Sequence, residues 1–129
     1  MAKFIIEKFD PVIYPRKVWV AKGGDKHDLE RVFNDIEGDS YQVSNMIVNS
    51  SYAITDDVSE KKSGDYGVIV WLHKIDDITE GIAAHEADHA ANRIFKAIGA
   101  TVDCDNDETH SYLVGFITDC IWKVIKRKA

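Results

Sequence analysis

With 129 residues, 45% of them hydrophobic and 29% charged, the chain has an ordinary globular composition and room for one substantial core. Twenty-two acidic side chains against sixteen basic ones give a formal net charge of −6, which argues against a general nucleic-acid binder, and no apolar stretch reaches the length of a membrane span. Two cysteines, Cys104 and Cys120, make no disulfide framework and read as free thiols; with no secretion signal after Met1, a cytoplasmic setting is the expectation.

In chain order, residues 4 to 9 and 12 to 21 read as strands, the second running through Val18-Trp19-Val20 and ending at Gly23-Gly24. A short helix is predicted over residues 26 to 35, where the spacing sets Leu29, Val32, Phe33 and Ile36 on one side. His27 stands at its start and has a cap-proximal explanation. Residues 43 to 54 read as one or two strands through Met46-Ile47-Val48, and the polar, glycine-terminated stretch 55 to 64 as a hairpin or exposed loop. Residues 66 to 73 make the strongest strand, almost continuously apolar from Val68 to Leu72.

Two long helices follow. The first spans residues 78 to 98, with Asp77 as N-cap, Glu80 in capping-box position, Gly99 as the stop, and a stripe of Ala83, Ala87, Ala90, Ala91, Ile94 and Ile98 suited to close packing. A turn over residues 99 to 103 leads to the second, residues 105 to 126, where Asp105 and Glu108 form a possible capping box. Lys123, Lys126, Arg127 and Lys128 complement the helix dipole at its end. Strands and a small helix first, then two long helices, describe one α+β domain over residues 1 to 129. Its small mixed β-sheet packs on a C-terminal helical pair.

The chemistry concentrates in His85-Glu86-Ala87-Asp88-His89, an HExxH sequence inside the first long helix. Histidines at i and i+4 stand one above the other on one helix face, so both imidazoles can share a metal ion, and zinc is the ion that spacing usually serves. Glu86 then lies beside the metal, where it can take a proton from a bound water. The plain alternative is two idle histidines on a helix. A catalytic zinc needs a third protein ligand, and Glu108, nineteen residues after His89 on the second helix, is the leading candidate. His110 points about 200° away from Glu108 around that helix, so the two do not serve one ion together. Asp103, Asp107 and Cys104 are further candidates, and a Cys104 thiolate would close the site into a structural one. Tyr112, one turn after Glu108, is a candidate to orient that carboxylate or stabilise an oxyanion, although an aromatic packed between helices is the leading explanation.

HExxH followed by a glutamate about twenty residues later on the next helix resembles the gluzincin branch of the zincin metallopeptidases. The metzincin pattern is absent, since Asn92 and Phe95 stand where its glycine and histidine would be. The resemblance implies a zincin-like fold, a Zn2+ cofactor held by His85, His89 and Glu108, and a peptide or protein substrate. It also implies that the strand at residues 66 to 73 lies beside the HExxH helix, which makes His73 at its end a candidate transition-state stabiliser, although a lone histidine at a strand end is more often a solvated loop residue. Few residues follow Glu108, so oxyanion-stabilising groups found late in larger members must come from upstream or be missing. The expected function is a zinc-dependent metallopeptidase or related amide hydrolase, with Glu86 activating the water; a non-catalytic zinc-binding interaction module and a metal-free α+β binding protein stand beside it.

Overall fold

Two apolar runs, Val18 to Ala21 and Val68 to Leu72, have hydrophobic side chains on both faces, and they form the parallel centre of a five-stranded sheet. The computed structural model describes residues 2–128. Its elements in order are β1 (Ile5–Phe9), β2 (Lys17–Lys22), α1 (Lys26–Val32), β3 (Phe33–Asn34), α2 (Asn45–Ser50), β4 (Ile54–Glu60), β5 (Tyr66–Leu72), α3 (Glu80–Ala97) and α4 (Glu108–Lys126). The sheet order is β1-β2-β5-β4-β3, with β2 and β5 parallel and the other pairs antiparallel. The α+β class and the mixed sheet stand as expected from the sequence.

Alternation along the central strands divides the core in two. Val18, Val20, Val68, Val70 and Leu72 point toward α3 and α4, where they meet Ala83, Ala87, Ala90, Ala91 and Ile94 of α3 and Ile117, Ile121 and Val124 of α4. Trp19, Ala21, Ile69 and Trp71 point the other way, onto Leu29, Phe33, Tyr41 and Val43. The sheet is therefore covered on both faces, which is why its central strands read as unbroken apolar runs. The alanine stripe of α3 lets that helix sit close on β4 and β5.

Several local expectations are corrected. The second strand starts at Lys17, because residues 10–16 form a turn in which Val12 takes a left-handed φ of 65°. Residues 45–50 form α2 rather than a strand; the Ser44 side chain accepts from the Met46 and Ile47 amides, capping a helix where propensity favoured extension. The polar stretch 55–64 is the hairpin rather than an exposed loop: Ile54–Glu60 form β4, paired antiparallel with β5 across a turn at 61–63, and Thr55, Asp56 and Asp57 each find a partner. Thr79, not Asp77, caps α3, accepting from the Ile82 amide at 3.2 Å, while Ile75–Asp77 form a 3-10 turn. Asp107 caps α4 without a side-chain bond, so the Asp105–Glu108 capping box does not form.

Candidate functional site

Helical spacing within α3 brings His85 and His89 together: their Nε2 atoms are 3.0 Å apart and their rings cross at 85° with centroids 4.5 Å apart. Both are exposed. At that separation one imidazole donates its Nε2 hydrogen to the other. Glu86, about 100° further around the helix, turns toward the sheet and is only 7% exposed. Its Oε1 accepts a 2.6 Å hydrogen bond from the Thr55 hydroxyl of β4. Two turns on, Arg93 reaches Asp57 of the same strand at 3.0 Å.

Thr55 and Asp57 face α3 because β4 alternates, and on its other face Asp56 accepts a 3.2 Å hydrogen bond from the Tyr41 hydroxyl. Burial, with the Asp56 charge beside it, holds that phenol above its ordinary pKa. These paired polar groups turn a polar sequence into a strand. The α3–β4 seam opens into a groove of about 720 Å³, floored by Thr55 and Glu86, flanked by His85, His89 and Arg93, and walled by Ile47 and Tyr52 from α2 and its exit. Thr55, Arg93 and the α2 wall were not anticipated from the sequence; period-two alternation through Ile54, Asp56 and Val58 was the available signal for Thr55 facing the helix.

Glu108 does not join the histidines. It is exposed at the first turn of α4, and no residue of α4 lines the groove. The physical reason is which flank of α3 receives α4. His110, 8% exposed, has Nε2 2.7 Å from Asn92 Oδ1 and its ring 5.1 Å from that of Phe95. Phe95 lies about 120° around α3 from His89, so α4 packs on the side away from the groove. Asp103, Cys104 and Asp107 are exposed in the preceding loop. Both cysteines are free thiols, Cys120 being buried and its pKa pushed up to about 12 by that burial.

Tyr112 is 74% exposed and lines a different cavity with Pro11, Ile13 and Tyr14, apart from the histidines. β5 lies beneath α3 but is an inner strand, and β4 borders the groove. His73, just past β5, has its Nε2 3.0 Å from the hydroxyl of Ser51, a groove-lining residue, but does not itself line the groove. Burial, and then the Lys74 charge, hold the His73 pKa below its ordinary value.

Among the described residues, no three or more His, Cys, Asp or Glu side chains come together in an arrangement able to hold a metal ion. The gluzincin resemblance is overturned by that finding: its defining set of His85, His89 and Glu108 is not assembled. No family model, curated protein or solved structure matches the chain. Among the described residues, no helix is long and apolar enough to cross a membrane.

Proposed function

We propose that the chain is a metal-dependent binding module, in which a divalent transition metal on His85 and His89 captures a ligating side chain of an extended peptide or protein partner in the α3–β4 groove. The observation that carries this reading is the 3.0 Å between the two Nε2 atoms. Two nitrogens on one tetrahedral zinc, each about 2.0 Å from it, stand about 3.3 Å apart, so a small ring adjustment admits the ion. Two imidazoles fill half of a tetrahedral shell, and water with a partner's carboxylate, imidazole or thiolate fills the rest. The groove volume of about 720 Å³ suits a ligand cleft. Among the described residues, β3 pairs with β4 only at Ser59 and Glu60, so the outer edge of residues 54–58 carries no strand; an extended segment could pair there, although the Asp57 amide already donates to Asp56 Oδ1 at 2.9 Å.

Titration calorimetry with zinc and with copper(II) on chelator-treated protein tests this. About one ion per chain is expected, lost in His85→Ala and His89→Ala and kept in Glu108→Ala. No binding by the wild type, or binding that ignores the histidine substitutions, overturns it.

Glu86 favours a second reading, amide hydrolysis. A carboxylate one residue after the first histidine, held in the groove by Thr55, has the reach to take a proton from an acidified water and return it to a leaving amine. A bound ion would supply that acidity, with its third ligand from outside the chain. Under both readings Glu86→Gln keeps metal affinity. Under the second it also abolishes peptide cleavage, so cleavage that persists in Glu86→Gln removes Glu86 from the chemistry.

A further inference from the structure

The outward face of α4 is bare, and its chemistry is symmetric about its own midpoint. Glu108, Tyr112, Gly115, Asp119, Trp122 and Lys126 recur at alternating spacings of four and three, and all six are exposed. They share a strip about 80° wide, with the spacing of coiled-coil a and d positions. Ile117, buried on the opposite side, marks the centre. Counted outward from it, Gly115 matches Asp119, Tyr112 matches Trp122 and Glu108 matches Lys126.

We infer that this face is a self-complementary interface, on which α4 packs antiparallel against α4 of a second copy about a two-fold axis. Each a position then meets a d position across the seam. Tyr112 meets Trp122 of the second copy in two aromatic layers, and Glu108 meets Lys126 at both ends. Charge decides the direction. The approach to α4 and its first turn carry Asp105, Asp107 and Glu108, while its end carries Lys123, Lys126, Arg127 and Lys128. A parallel pair would stack like charges, whereas the antiparallel pair sets acid against base at each end.

Gly115 supplies an independent reason. A glycine inside a helix weakens it and calls for a packing explanation, yet a Cβ built at Gly115 meets nothing within 4 Å. Nothing within the described fold asks for glycine there. At the centre of an antiparallel pair it allows the two helices to approach closely, bringing the aromatic layers on either side into contact.

The surface next to the strip extends the apolar area. Val12 and Ile13 are 82% and 78% exposed, and the turn that presents them holds Val12 in the left-handed region, braced by Asp10 Oδ1 accepting from the Val12 amide at 2.8 Å. Ile13, Tyr14, Tyr112 and Phe116 border a cavity of about 360 Å³ beside the strip.

Sedimentation velocity on the full chain over a concentration series tests the interface, with three substitutions. Gly115→Glu enters open space in the protomer, so its melting curve should stay cooperative, but it sets a second acid against Asp119 of the other copy. Glu108→Lys and Lys126→Glu each create like-charge contacts, and the double variant restores opposite ones. Expected are a concentration-dependent wild-type dimer, weakening by roughly tenfold or more in each single variant, and recovery in the double variant. A wild type that stays monomeric overturns the inference. So does a dimer that Gly115→Glu leaves intact, or a double variant no better than its parents. Neither result bears on the metal, because no α4 residue lines the groove.

Discussion

Glu86 is a carboxylate taken almost out of water on the strength of one short bond. Among the described residues, the 2.6 Å contact from Thr55 is its only side-chain partner, and the remaining oxygen faces the groove. Thr55→Val removes the donor while keeping the shape, and should lower the unfolding free energy by about 1–3 kcal/mol in urea denaturation. An unchanged midpoint would mean that groove water already satisfies the carboxylate. His73 gives a pH signature. Its folded pKa lies below the unfolded value of 6.5, through burial first and Lys74 second, so the unfolded chain binds the proton more readily. Stability is therefore unaffected by this group above the unfolded pKa, and falls as pH drops through 6.5 toward the folded pKa. Thermal melts from about pH 7.5 to 5 should show a smaller acid loss in His73→Gln than in the wild type. Equal losses would remove His73 as a source of the acid sensitivity.

At the scale of elements, legibility followed burial. β5 and the two long helices were readable because each buries a strong repeating pattern. Ends and polar segments were not. β4 reads Ile-Thr-Asp-Asp-Val-Ser-Glu, and its strand character comes from partners far along the chain: Glu86, Tyr41 and Arg93 satisfy Thr55, Asp56 and Asp57. α2 is the converse, an apolar Met-Ile-Val run bent into a helix by the Ser44 cap beside a sheet that had no place for it. Gly67 shows how tightly the central pair is set. It stands opposite Lys17 in the β2–β5 register, and a Cβ there would overlap the Lys17 carbonyl and press on the Trp19 ring. Gly67→Ala should therefore cost about 2 kcal/mol or more, read as a lower melting temperature with intact cooperativity. A neutral result would show that β2 and β5 can part without loss.

For the whole molecule, the decisive quantity is the side of α3 on which each neighbour lies. The sheet covers one flank with small alanines, α4 takes a second through Phe95 and His110, and the groove occupies a third. This arrangement separates Glu108 from His85 and His89 although the sequence spacing allowed them to meet. It leaves two bare surfaces, the groove and the outward face of α4, which carry different chemistry and can be tested apart. Local pattern was enough for the α+β class, the two long helices, the continuously apolar β5 and the pairing of His85 with His89. All of these follow from short-range periodicity, because the side-chain directions of a helix or strand are set by its own backbone. Which residues share the groove with those histidines was set by packing. That depends on the flank each element packs against, and a spacing along the chain carries no information about an angle around a helix axis.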